Sequence, residues 1–501
     1  MAAYGPYPIL TAAEVARTVA NGQTVSFSGF TPAGAAKAVP EALADYAREQ
    51  HAAGNPFQIR VLTGASSGHS IDEDLAAAEA ISWRCPYQTG KALRRQINRQ
   101  QVEYVDMHLS HVPQMVAWGF LGDIDLAVVE ATEITPDGRV YLSTSIGASP
   151  TYLKYAKRVV IELNRHQSPR LREMADILVM PPPPHRNPIP IHDPLSRVGW
   201  PYAQVDPGKV VGVVENDASD QVGGFSEPDA VSQAIGGHVA DFLGREMACG
   251  RIPSDFLPIQ AGVGNIANGV MTAMGSSPHI PPFFMYSEVF QDSLVDLMIG
   301  ERLLGASATS LTVTAGKLKE IVDNIDYFGP RIVLRPQEIS NHPGVIRRLG
   351  VIAINTALEI DIYGNVNSSH VYGMDIMNGI GGSGEFTRNS YLSIFMAPSV
   401  AKGGDVSTIV PMCPHIDNNE HSVGVVVTEQ GLADLRGLGP RHRARAIIDR
   451  CAHPAYRDIL HGYLRDSRLG HISHNLEHCF DLHRNLMAHG SMLPVGVRRV
   501  A

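Results

Sequence analysis

The sequence predicts an α/β protein of two halves, each an open, mostly parallel sheet covered by helices. Three observations predict it. Short Val-, Ile- and Phe-rich runs alternate with helix-periodic segments in the first part of the chain. The same alternation resumes after Gly250, and a proline-rich break separates the two.

In chain order, TVSFSGF (24–30), FQIRVLTGA (57–65), DLAVVEATEI (125–134) and RVVIELN (158–164) read as strands. Between them, AKAVPEALADYAREQ and DEDLAAAEAI repeat apolar residues at helical spacing. Ligands in such sheets gather at the carboxyl ends of strands. VMPPPPHRNPIPIHDP (179–194) cannot be regular structure, because proline lacks a donor and disfavours helix in the residue before it. It reads as a linker or a lid. EPDAVSQAIGGHVADFLGREMACG then reads as a helix, with Ser226 as cap and Gly250 as stop. FLPIQAG, TSLTVT, RIVLRP, YLSIFMAP, TIVPM and VGVVVTEQG continue as strands, and HISHNLEHCFDLHRNLMAHG reads as a terminal helix. The predicted domains are 1–225 and 226–501, joined near 210–230, with no internal repeat.

Composition excludes several classes. A net charge of −9 without long like-charged blocks lacks the basic surface that nucleic acid or an anionic membrane requires. No run of 18 or more apolar residues is present, so no membrane span is expected. MAAYGPYPILTAAEVARTV has no basic stretch leading into an apolar core. The cysteines, Cys85, Cys249, Cys413, Cys451 and Cys479, are odd in number and contain no CxxC pair, which suits reduced structural thiols. A cytoplasmic location is expected.

The chemistry-bearing residues cluster in the second half. PPFFMYSEVFQDSLVDLM (281–298) ends an apolar strand on Glu288, where desolvating a charge is costly. That acid is a helix-capping or solvated group, or a nucleophile whose weak solvation raises its reactivity. QAGVGNIANGVMTAM (260–274) turns from strand to helix through glycines, so it is a tight turn or a set of amides for an anion. MNGIGGSGEFTRN (377–389) packs Gly379, Gly381, Gly382 and Gly384 together, a ligand-facing loop or a surface loop. Lys402 in SVAKGGDVS is a solvated lysine or a phosphate contact, and Glu429 in VVVTEQG ends a second apolar strand on an acid. His415 and His421 in HIDNNEH match no common metal pattern and read as structural or surface histidines, so no metal is expected.

Together SGFTPAG, DMHLSH, GVGNIAN, YSEVFQD, INTALEIDIYGNVNSSHVYG, NGIGGSGEFTRN, IVPM, VTEQGLADLRG and CAHPAYR resemble the acetyl-CoA hydrolase/transferase family, in order from about residue 8 to residue 490. Within it they look most like class I CoA-transferases of the succinyl-CoA:acetate type. The resemblance implies two tandem domains of the isomerase/CoA-transferase-like type with the active site between them. It also implies a homodimer, acyl-CoA and small carboxylates as substrates, and no tightly bound cofactor.

By that resemblance Glu288 is the nucleophile that forms an acyl anhydride and then a CoA thioester. The amides of Val263 and Gly382 match oxyanion-hole positions. Gly264, Asn265, Ile266, Ala267 and Asn268 line the CoA-binding turn. Asn378, Gly382 and Lys402 match CoA contacts, and Asn341 and Glu429 match polar residues beside the nucleophile. Relatives that use succinate often carry a DRN-type tripeptide whose arginine lies near the carboxylate site; here SDQVGGFSEPD places Gln221 there, without the charge or the fork of an arginine.

Three other functions compete with the transferase. An acyl-CoA hydrolase shares every motif and differs only in letting water resolve the intermediate. A non-catalytic CoA-binding protein predicts a missing nucleophile or broken glycine loops, and neither is found. A sugar-phosphate isomerase on a related fold leaves Glu288 and GVGN unexplained.

Overall fold

In a computed structural model that describes residues 6–65, 68–224 and 227–494, the Val- and Ile-rich runs pair mostly in parallel. Glu103–Tyr104, Ile81–Cys85, Ile59–Leu62, Thr24–Phe27 and Leu126–Ile134 are successive parallel neighbours. Val159–Asn164 and Val210–Asn216 continue the sheet in parallel, while Arg139–Leu142 and Ala203–Gln204 add antiparallel strands. Val25, Val128 and Val160 are fully covered, as a parallel sheet faced by helices requires.

Helix Ala38–Ala52 buries Val39, Leu43, Ala44 and Ala47 against this sheet. Its first turn is satisfied from the sheet: the Glu162 carboxylate accepts from the N–H groups of Lys37, Ala38 and Val39 at 2.6, 2.9 and 3.1 Å. DEDLAAAEAI departs from the predicted helix. It forms a π turn, Ser70–Asp74, and one short helical piece, Leu75–Ala77. The buried Asp72 accepts from the buried Arg84 at 3.0 Å, which anchors the segment to the neighbouring strand and cuts the helix short.

The chain forms two units that are discontinuous in sequence. The first gathers the described residues of Met1–Gly224, Phe284–Leu349 and Asn378–Glu385; the second holds those of Phe225–Phe283, Gly350–Met377 and Phe386–Ala501. Bridges Ser145–Ser310, Gly147–Pro336 and Ala175–Leu334 bring the 284–349 segment back to the first unit. The fully buried Arg335 guanidinium fixes it there, donating to the Asp176 carboxylate, to Ser307 Oγ at 2.8 Å and to the Pro194 carbonyl at 3.0 Å. The proline-rich stretch is strapped to the same unit. Arg348 donates to the Ile191 carbonyl at 3.1 Å, Arg186 pairs with Glu338 at 2.9 Å, and Ile189 and Ile191 are buried.

In the second unit Ile259–Ala261, Ile352–Thr356, Leu392–Met396 and Val425–Thr428 run parallel, with Gly431–Asp434 turning back antiparallel. Helix Ala230–Ala248 is capped by Asp229, which accepts from the Ser232 N–H at 2.7 Å; Ser226 lies outside the described residues. This helix meets helix Asn265–Ser276 through glycines, since a Cβ on Gly236 would lie 2.5 Å from the Gly269 carbonyl oxygen. Helices Pro440–Cys451 and Pro454–Asp466 cover the sheet, with Ile447, Ile448, Tyr456 and Leu460 in the core. The terminal helix is shorter than predicted, Asp481–His489, and stops at Gly490 in the left-handed conformation, φ 75°. No helix among the described residues is long and apolar enough to cross a membrane. Of the five thiols only Cys249 is exposed, and none is in a disulfide.

Candidate active site

Glu288 sits at the corner between the short strands Phe283–Tyr286 and Val289–Phe290. Its own carbonyl accepts from the Thr309 N–H at 2.8 Å and the Ser310 N–H at 3.2 Å, which fixes where its side chain starts. It caps no helix. The following helix begins at Asp292, whose carboxylate accepts from the Thr314 N–H and hydroxyl, both at 2.8 Å.

The Glu288 carboxyl lies against Gly382. A Cβ on residue 382 would fall 2.0 Å from Glu288 Oε1 and 2.5 Å from Asn341 Nδ2, so only glycine fits. Asn341, fully buried, donates from Nδ2 to Glu288 Oε1 at 2.6 Å. The orientation of its amide is set on the other side, where the Ser340 hydroxyl donates to Oδ1 at 2.7 Å. Burial pushes the Glu288 pKa up to about 7 against the lowering effect of the Asn341 hydrogen bond. The residue is half-buried.

Asn341 Nδ2 donates a second bond, at 2.8 Å, to Glu385 Oε2. Glu385 is 4% exposed, and its other oxygen accepts from the Ser110 N–H at 2.8 Å. Burial raises its pKa to about 8; Ser110 and Asn341 oppose the rise, and the Glu288 charge adds to it. Sequence reasoning quoted GGSGEF for its glycines and missed this acid. The available signal was the spacing: Glu385 follows Gly382 by three residues at the start of helix Ser383–Asn389, which returns its side chain to the same face.

The glycine loop is anchored by the 86–111 stretch. The Tyr104 hydroxyl donates to the Asn378 carbonyl at 2.7 Å, and the Ile380 N–H donates to Asp106 at 2.9 Å. Cβ atoms on Gly379 and Gly384 would strike the Tyr104 hydroxyl oxygen at 2.8 Å and His108 Cε1 at 2.6 Å. These contacts explain DMHLSH, which the sequence alone left without a role.

The first unit therefore brings together Glu288, Asn341, Asn378 and Gly382. The other expected residues lie in the second unit. There Val263, 48% exposed, precedes Gly264 (φ +114°) at the corner into helix Asn265–Ser276. Along that corner Asn265 is exposed, Ile266 partly covered, and Ala267 and Asn268 buried. Lys402 is exposed between the antiparallel strands Val400–Ala401 and Val406–Ser407. Burial works to raise the Glu429 pKa, but the Ser399 hydroxyl and N–H (2.7 Å to the latter) and Gln430 outweigh it, so the net shift is downward. Gln221, in the first unit, is exposed and its Oε1 accepts from the His69 N–H at 2.9 Å.

His421 is exposed, 3.7 Å from Glu420. His415 instead contacts Asp417 at 2.9 Å and stacks on His370, and potential ligand atoms of these three lie within 4.8 Å of one another. Asp417 is already occupied: its carboxylate accepts from the Ser368 N–H and, at 2.6 Å, from the Ser369 hydroxyl. That network ties the 368–370 segment to the 415–418 loop.

A half-buried acid pressed on a glycine backbone and hydrogen-bonded by a buried carboxamide is the kind of centre that acyl transfer requires. Comparison with known proteins agrees. Family models for the acetyl-CoA hydrolase/transferase N-terminal and C-terminal domains match residues 2–215 and 318–464. The chain is 57% identical over 484 residues to an Escherichia coli propanoyl-CoA:succinate CoA transferase, covering 97% of this chain and 98% of the relative. It is 44% identical to a Clostridium kluyveri succinyl-CoA:acetate CoA-transferase (97% and 90% covered) and 42% identical to a Schizosaccharomyces pombe acetyl-CoA hydrolase (94% and 93%). Among solved structures, a 4-hydroxybutyrate CoA-transferase from Porphyromonas gingivalis superposes with a TM-score of 0.62 at 21% identity, covering 91% of this chain and 97% of that one, a likeness of fold alone. With both halves matched in order and relatives aligned over nearly their whole length, the chain belongs to the acetyl-CoA hydrolase/transferase family and is an enzyme of it.

Proposed function

We propose that the protein moves coenzyme A between short-chain carboxylic acids of the acetate, propionate or succinate type, by a ping-pong route through Glu288. The observation that carries this reading is the Glu288 carboxyl held against the backbone of Gly382, where a Cβ would fall 2.0 Å from Oε1. Glu288 Oε2 attacks the thioester carbonyl of the acyl-CoA. The C–S bond breaks, coenzyme A leaves as thiolate, and an anhydride joins the acyl group to Glu288. The thiolate then attacks Glu288 Cδ, the C–O bond to the first acid breaks, and that acid departs as carboxylate. CoA remains on Glu288 as a thioester until a second carboxylate reverses both steps. Thioester and anhydride have similar transfer potential, so no nucleotide is consumed.

Each attack passes through an oxyanion that needs donors already in place, one being worth roughly 3–4 kcal/mol of barrier. Asn341 Nδ2, already on Glu288 Oε1, serves the oxyanion that develops at Cδ. The Gly382 N–H and, from the family resemblance, the Val263 N–H serve the other. Gly264, Asn265, Ile266, Ala267, Asn268 and Asn378 receive coenzyme A, with Lys402 suited to a phosphate. Glu429, held ionised by Ser399, adds charge to the site; E429Q with unchanged turnover and pH profile removes it from this scheme. The resemblance also assigns a homodimer, which sedimentation velocity tests.

Borohydride reduction after incubation with acyl-CoA, followed by peptide mass analysis, tests the covalent route. Reduction converts Glu288 to the alcohol with loss of activity. Turnover without modification there overturns the reading. The hydrolase reading is favoured by the name of the fungal relative and by the solvent access Glu288 retains. Thiol release at equal rate with and without added acetate or succinate would establish it in place of transfer.

A further inference from the structure

Glu385 belongs to no part of the scheme above, yet it holds the other half of the group that holds the nucleophile. Asn341 has two N–H bonds on one nitrogen; one points to Glu288 at 2.6 Å and the other to Glu385 at 2.8 Å. The amide oxygen is occupied by Ser340. Both N–H donors and the oxygen of the carboxamide are therefore engaged, and Glu385 is itself seated by the Ser110 N–H at 2.8 Å. We propose that Glu385 is the positioning residue of the nucleophile, acting through Asn341 to keep one N–H aimed at Glu288 Oε1 in every step of the transfer. The proposal rests on Glu288 being the nucleophile.

The arrangement follows from what Glu288 becomes. As a free carboxylate it attracts an N–H donor strongly, but as an anhydride or thioester its carbonyl is a much weaker acceptor. Without a partner on the far side, the Asn341 side chain would be free to relax away once Glu288 is acylated. Glu385 restrains that freedom because it is not itself acylated and stays on Asn341 as an acceptor when Glu288 reacts. Both Glu385 oxygens accept hydrogen bonds, so a glutamine must turn an NH₂ group toward either Asn341 or Ser110 and lose one of the two.

Two carboxyls on one amide nitrogen also couple their protons. The titratable group that acts on Glu385 is Glu288 across Asn341; His108 stands against Gly384 next to it, and Asp106 and the Tyr87 and Tyr104 phenols stand against residues 378–381 of the glycine loop. Burial raises both phenols further above neutrality, so neither ionises in the working range. Glu385 and Glu288 are both displaced into that range, and a proton held on Glu385 spares Glu288 a like charge behind its hydrogen-bond donor.

The test is a double-mutant cycle on Glu385 and Asn341, reading the rate at which the Glu288 adduct with CoA forms at saturating acyl-CoA. E385Q is expected to slow adduct formation 10–100-fold, with KM for acyl-CoA changed less than threefold and the acid limb of the pH profile shifted. N341A and N341A/E385Q are expected to be equally slow, because one residue works through the other. E385D, which keeps the acid, is expected to recover part of the rate. If E385Q does not fold, E385D takes its place in the cycle, with a smaller loss that again does not multiply with that of N341A. An adduct that forms at wild-type rate and pH profile in the Glu385 variant, or losses that multiply in the double mutant, overturns the proposal while leaving the nucleophile intact. Absence of any adduct in the wild type overturns the nucleophile itself.

Discussion

Residue 382 and Glu288 approach so closely that a methyl group on the former would occupy space 2.0 Å from the carboxylate oxygen of the latter. Steric exclusion explains this glycine; its backbone is not in the left-handed region. G382A is therefore expected to push the carboxyl off Asn341 and reduce transfer at least 100-fold. Circular dichroism should stay near wild type, since the clash falls on the ends of the Glu288 and Asn341 side chains and not on backbone. Wild-type transfer by a folded G382A protein would show that the close approach is not used.

Glu288 is held protonated more tightly in the folded chain than in the unfolded one, where its pKa is near 4.5. A raised acid weakens folding as pH climbs above the unfolded value, with the full penalty reached above about 7. E288Q should then stabilise the protein by up to about 3 kcal/mol at pH 8 and by little at pH 4.5. Urea unfolding at the two pH values measures the difference, and an equal effect at both would refute the linkage.

The same displacement governs rate. Only the ionised carboxyl attacks a thioester, so adduct formation should rise with pH through about 7 and level off above it. Stopped-flow of a single turnover isolates this step from substrate ionisation.

Asp176 and Arg335 form an ion pair with both side chains out of reach of water. Removing one partner leaves a buried charge, so D176N should cost about 3–5 kcal/mol, while an apolar pair such as D176L/R335M should recover most of it. Thermal unfolding of the single and double variants decides this.

The alternation of Val-rich runs with helical periods was sufficient to read the α/β character, because parallel strands buried on both faces cannot disguise their composition. DEDLAAAEAI was misleading: its alanines have helical spacing, but the buried Asp72–Arg84 pair decides its geometry, and that partner lies outside the window. Glu288, Asn341 and Gly382 were legible through the family resemblance, since local sequence alone left Glu288 open as a helix cap. Glu385 was not, because its spacing from Gly382 shows only a shared face, while its hydrogen bond runs to a residue 44 positions earlier.

The return of 284–349 and 378–385 to the first unit has a consequence for the order of assembly. A ribosome delivers the chain from its amino end, and domains usually fold as they emerge. Here the opening sheet can form early, but the segment bearing Glu288 arrives only after the start of the other unit has been made. The glycine loop arrives later still. Until residue 385 has left the exit tunnel, no nascent chain contains Glu288, Asn341, Gly382 and Glu385 together, so their hydrogen-bonded cluster is completed late in synthesis.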